Sequence, residues 1–148
     1  MSIPSDFRDL LAEFAAAGVE YLVVGGYAVG VHAEPRFTKD LDVWIGDAPD
    51  NLARVKAALA SFGAPSDLLD RFDEATPEDV LMGAPPLRID ILKGVPGGEF
   101  PAAYARRVST DWSGVRAEII ARDDLVAIKR ASGRPQDLAD VAALLRAP

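Results

Sequence analysis

The chain has 148 residues, 49% of them hydrophobic, and a formal net charge of −7, which suits one domain over residues 1–148 that buries about 68–70% of its extended surface. That charge argues against tight nonspecific binding to DNA or RNA, the lack of cysteine excludes disulfides and thiolate zinc, and the single histidine, His32, leaves little room for a histidine metal site or a serine–histidine hydrolase. No apolar run reaches membrane-spanning length, and the start around Asp6 and Asp9 lacks the pattern of a secretory signal, so a cytoplasmic protein with no membrane partner is expected.

Phe7, Leu10, Leu11 and Phe14 recur at helical spacing behind Ser5 and Asp6, predicting a first helix to about Ala17 that stops at Gly18. Tyr21 to Val24 is a short apolar run and reads as the first strand. Gly25 and Gly26 then turn the chain into a second helix that ends before Pro35, and residues 40–45 give the second strand. A third helix is expected from Pro49 or Asp50 to Phe62, with Gly63 as its stop.

Residues 64–86 are acidic, broken by prolines and without a clear period; they read either as a partly helical excursion or as a mobile flap over a site. The acidic excess from Asp67 to Asp79 reads as solvated surface. Residues 87–92 alternate as a third strand, with Leu87, Ile89 and Ile91 on its buried face, closed by Gly94, Pro96, Gly97 and Gly98. A short helix over about 100–107, a fourth strand over about 116–121 and two last helices near 123–131 and 135–145 complete the pattern. Strands alternating with alanine- and leucine-rich helices predict an α/β or α+β layering.

The chemistry concentrates between the first and second strands. In an extended strand alternate side chains share a face, so Asp40 and Asp42 point one way while Leu41, Val43 and Ile45 point into the core, with Cα atoms of the aspartates about 6.6 Å apart. Carboxylates on that spacing suit one divalent ion or a bridged pair, and Mg2+, which prefers oxygen ligands and keeps positions for phosphate, fits, with Mn2+ as an alternative. Asp90 shares a face with Arg88 and Leu92, and it joins the other two if its strand lies beside the second. Three anions that close repel unless a cation or a proton intervenes. Upstream, Gly25 and Gly26 let backbone amides approach phosphate oxygens.

Gly25-Gly26, the run Arg36-Phe37-Thr38-Lys39-Asp40-Leu41-Asp42 and the isolated strand aspartate Asp90 resemble the signature of the nucleotidyltransferase superfamily related to DNA polymerase β. His32, Arg36, Thr38, Lys39 and the stretch from Lys129 to Asp140 are more narrowly similar to small bacterial nucleotidyltransferases allied to abortive-infection toxins of the AbiEii type. The resemblance implies an α/β (α+β) fold with a small mixed β-sheet and helices packed mainly on one face. It implies transfer of a nucleoside monophosphate from a nucleoside triphosphate to an acceptor hydroxyl, with RNA or protein the favoured acceptor and a homodimer or a cognate antitoxin as the expected protein partners. By position, Gly25 and Gly26 would cradle the triphosphate, Asp40, Asp42 and Asp90 would hold metal, Asp90 would also help deprotonate the acceptor, and Arg36, Thr38 and Lys129 would support the nucleotide.

Several residues read two ways. Lys129 and Arg134 suit triphosphate oxygens, or else close a basic helix end before Gly133. Arg36 holds phosphate and Thr38 braces the loop in the functional reading. Asp137 and Asp140 read as a structural network with Arg130 or Arg134, His32 as a packing residue, and Trp44 as covered by a helix rather than stacked on a base. Two other functions fit the same residues: a catalytically silent protein of this fold acting by contact, and a nucleotidyltransferase acting on a small cationic molecule such as an aminoglycoside.

Overall fold

The computed structural model describes residues 3–35, 38–73, 78–83 and 87–148. Its elements run α1 (Ser5–Ala17), β1 (Tyr21–Val24), α2 (Gly25–His32), β2 (Asp40–Ile45), α3 (Pro49–Phe62), α4 (Ser66–Leu69) with a 3-10 turn at Asp70–Phe72, β3 (Val80–Met82), β4 (Arg88–Leu92), α5 (Phe100–Ala105), β5 (Val108–Trp112), β6 (Val115–Ile119), α6 (Arg122–Ser132) and α7 (Pro135–Arg146). The six strands form one mixed sheet in the order β3-β4-β2-β1-β6-β5. No helix among the described residues is long and apolar enough to cross a membrane.

Alternation along the central strands decides which side chains meet the core. Leu41, Val43 and Ile45 of β2 and Ile89 and Ile91 of β4 are buried. In the antiparallel β1–β2 pair Tyr21 stands opposite Ile45 and Val23 opposite Val43. Tyr21 also meets Phe14 of α1 at a ring separation of 5.3 Å, which lays α1 against that face. Gly18 (φ 71°) and Gly63 (φ 103°) end α1 and α3 in the left-handed conformation that glycine adopts without strain. The other face of β2 carries Asp40, Asp42 and Trp44. Trp44 is covered, edge-on to Phe100 of α5 at 5.3 Å, so the helix-covered reading holds for it.

Three sequence expectations change. The third strand begins at Arg88, and Leu87, assigned to its buried face, is 41% exposed because the pairing with β2 starts only at Arg88 opposite Asp40. Residues 64–86 contain α4, the 3-10 turn and the edge strand β3, which pairs antiparallel with β4; residues 74–77 and 84–86 lie outside the described residues. A further strand, β5, was not expected. It pairs antiparallel with β6 through a two-residue Ser113–Gly114 turn in which both residues have positive φ, 54° and 87°.

Candidate active site

Parallel pairing of β2 with β4 places Asp42 directly opposite Asp90 and Asp40 opposite Arg88. Neighbouring strands lie about 4.8 Å apart, so carboxylates in register on one face meet as soon as the strands pair. On the other side of β2, Val24 is the partner of Asp42, and Gly25 follows it as the first residue of α2. Gly25 has φ +69°, and a Cβ there would overlap the Asp42 carboxylate, lying only 3.0 Å from its Cγ. The glycine is therefore required both by its backbone conformation and by the carboxylate it faces. No side chain caps the start of α2, so its first backbone N–H groups remain available to an anion.

These residues floor a cleft of about 420 Å³. Leu125, Ile128 and Lys129 of α6 form one wall, with Ser132 and Arg134 beyond it; Val95 and Pro96 close another side, and Asp79 stands at the rim. Gly26 is the second residue of α2 and is half-buried, but it is not among the described residues that line the cleft.

The charges in the floor are only partly compensated. The Arg88 Nη2 atom donates to Asp40 Oδ2 at 3.1 Å and to Asp90 Oδ2 at 3.3 Å. Its Nε lies 2.9 Å from Asp90 Oδ1 without hydrogen-bond geometry, and both of those buried atoms lack a hydrogen-bond partner. Asp42 has no such cation. Enclosure in the cleft floor, then the charge of Asp90 and a hydrogen bond shared with it, push its carboxyl up to about 7. Among the described residues no three carboxylate or imidazole side chains are gathered into a ready-made metal cage, since Arg88 lies between Asp40 and Asp90. The donor set nevertheless fits a divalent ion: all hard oxygens, one of them buried without a hydrogen bond, and an Asp42–Asp90 pair short of positive charge.

Lys129 is 7% exposed, with its Nζ 2.9 Å from Asp140 and 3.4 Å from Asp137. Arg134 donates from Nε to Asp137 at 2.8 Å. Burial alone would raise the Asp137 carboxyl, but hydrogen bonds from Arg134 and Ser132 and the charge of Lys129 outweigh it and bring the group to about 2. The aspartates of α7 thus form the expected network, with Arg134 and additionally with Lys129, which they hold against the cleft wall beside Asp42.

His32 and Thr38 are not among the residues that line the cleft. His32 shares a 2.6 Å hydrogen bond with the Ile120 carbonyl, matching its structural reading. The Thr38 carbonyl accepts from the Tyr27 hydroxyl at 3.3 Å, tying the loop to α2. Arg36 lies outside the described residues. Two cleft residues were not singled out in the sequence. Arg88 carried the right strand parity as its only signal, and Asp79, read with the solvated acidic run, instead lines the cleft, where partial burial and then the charge of Asp90 raise its carboxyl.

Residues 5–145 match the family model described as nucleotidyltransferase of unknown function (DUF6036). No curated protein matches the sequence. Among solved structures the chain is similar to the lincosamide antibiotic adenylyltransferase LnuA in its lincomycin-bound crystal structure, with a TM-score of 0.61 and 14% identity over 98% of each chain. It is also similar to an antigenic nucleotidyltransferase-like protein from Paracoccidioides brasiliensis, with a TM-score of 0.49 and 14% identity, over 98% of this chain and 77% of that one. At such identity the LnuA likeness is one of fold.

Proposed function

The chain belongs to a family of nucleotidyltransferases of unknown function, and on that premise we propose that it moves a nucleoside monophosphate from a nucleoside triphosphate to an acceptor hydroxyl in the cleft floored by Asp40, Asp42 and Asp90. The observation that carries this reading is the register of Asp42 against Asp90 on the open face of the sheet, with Gly25 fitted against Asp42.

Asp40, Asp42 and Asp90 would hold Mg2+, or Mn2+, which when bound neutralises the triphosphate and acidifies the acceptor hydroxyl. Gly25 and the uncapped start of α2 receive phosphate oxygens through backbone N–H groups. Asp90, whose carboxylate Arg88 shares in the structure, would accept the proton of the attacking hydroxyl. The acceptor oxygen bonds to the α-phosphorus, the bond from that phosphorus to the bridging oxygen breaks, and pyrophosphate leaves with the electron pair. Lys129, fixed by Asp137 and Asp140, contributes positive potential from the wall. Arg134, whose side chain is mostly exposed and lines the cleft, would offer its guanidinium to phosphate.

RNA or protein is the acceptor favoured by the sequence, in keeping with a toxin or defence role. A second reading, a small cationic acceptor, has one observation in its favour: Asp79 lines the cleft near Asp90 and no cation pairs with it among the described residues. Incubation with each α-labelled nucleoside triphosphate, Mg2+ and cell extract tests both. Label should move to an acceptor whose size separates RNA, protein and small molecules, and Asp90→Asn should abolish it; undiminished labelling by Asp90→Asn would remove the basis of the proposal.

A further inference from the structure

Two of the three carboxylates in the cleft floor, Asp40 and Asp90, already share a cation of the protein's own. Arg88 reaches Asp40 at 3.1 Å and Asp90 at 2.9 Å, from a β4 position two residues before Asp90 and directly opposite Asp40. The contact is incomplete. The Arg88 Nε and Asp90 Oδ1 atoms approach without forming a hydrogen bond, and both are buried. The side chain itself is 36% exposed and lines the open cleft, so the guanidinium can swing outward while β4 stays paired. Asp42, the third carboxylate, receives nothing from Arg88 beyond its distant charge.

We propose that Arg88 is a resident counter-ion that a divalent cation must displace, and that the displaced guanidinium is taken up by the triphosphate, which couples binding of the metal to binding of the nucleotide. The inference rests on the functional reading above. A guanidinium and a metal ion cannot occupy the same carboxylate oxygens, so Arg88 competes with free metal. A planar fork that matches carboxylate geometry matches phosphate oxygens equally well, so the cost of displacement falls when a triphosphate is present. Two ligands that share one obstacle bind cooperatively, each strengthening the other by the same factor. Arg88 thereby keeps the floor from trapping free cations and reserves it for the metal–nucleotide complex.

Mn2+ serves as the probe, with bound ion read from electron paramagnetic resonance and water-proton relaxation, with and without an α,β-methylene triphosphate analogue. Arg88→Ala should bind free Mn2+ at least about tenfold more tightly than the native protein, the factor expected for removing one charge-assisted hydrogen bond from competition. Arg88→Lys keeps the charge but loses the fork, and should fall between them. The analogue should strengthen Mn2+ binding to the native protein by a larger factor than to Arg88→Ala. Circular dichroism checks that each variant folds, and Arg88→Lys carries the test if Arg88→Ala does not. Equal or weaker Mn2+ binding in the variants, with the native protein still binding the ion, would overturn the counter-ion role and leave the functional reading standing. Failure of every form to bind Mn2+ with or without the analogue would overturn both.

Discussion

Replacing Asp42 by asparagine should make the metal-free protein more stable at alkaline pH while abolishing transfer. In the folded protein the Asp42 carboxyl is pushed from 3.8 to about 7, first by burial and then by Asp90. Because the folded state holds this proton more tightly than the unfolded chain does, stability falls as pH rises from about 4 to about 7 and then levels off. A displacement of about 3 units corresponds to roughly 4 kcal/mol at 1.36 kcal/mol per unit, and solvent in the open cleft reduces that to about 2 kcal/mol. Asparagine has the same shape, carries no charge and can donate to Asp90. Urea unfolding in chelator at about pH 4 and about pH 8 should therefore show Asp42→Asn near the native stability at the lower value and about 2 kcal/mol above it at the higher. A variant that gains nothing between those values, or loses stability at the higher one, would refute the charge conflict placed at Asp42 and Asp90.

Gly25→Ala should lose transfer and about 1–3 kcal/mol of stability, since its φ of +69° and its contact with Asp42 both exclude a methyl group; thermal unfolding together with labelled transfer checks this. Asp137→Asn should cost about 1–2 kcal/mol at neutral pH, and the difference from the native protein should vanish as pH falls from about 4 towards about 2, because a carboxyl lowered to about 2 stabilises only above that range. Acid unfolding curves of the two proteins give the comparison. His32→Ala should leave the Ile120 carbonyl without its partner, lowering stability by about 1–3 kcal/mol while the transfer rate per folded molecule stays within about twofold; a larger drop would make His32 a participant in the chemistry.

The face on which Asp40, Asp42 and Asp90 stand was legible because two-residue alternation is a local property of each strand. Their meeting could be stated only on the condition that the strands neighbour each other, or through the family resemblance, because it depends on β4 lying beside β2 in a register that no stretch of sequence contains. Arg88 was passed over for the same reason, as its importance comes from standing opposite Asp40 across 48 positions of chain. β5 escaped notice since it is an edge strand and mostly exposed, so Val108, Ser109, Thr110 and Asp111 carry no apolar period. The Ser113–Gly114 pair that turns it into β6 was a readable hairpin signal. β3 is three residues long, with Leu81 exposed between buried Val80 and Met82, too short for any pattern to stand out from the acidic segment around it. That brevity also kept Asp79 among the solvated acids when the fold brings it to the cleft.

Binding of an α,β-methylene nucleoside triphosphate, titrated calorimetrically with Mg2+ and again with chelator, bears most directly on a cleft built for a metal-borne triphosphate. The native protein should bind the analogue only with Mg2+, and Asp42→Asn and Asp90→Asn should not bind it at all under the same conditions while remaining folded. Binding that ignores Mg2+, or that survives unchanged in both variants, would contradict the assignment of the cleft.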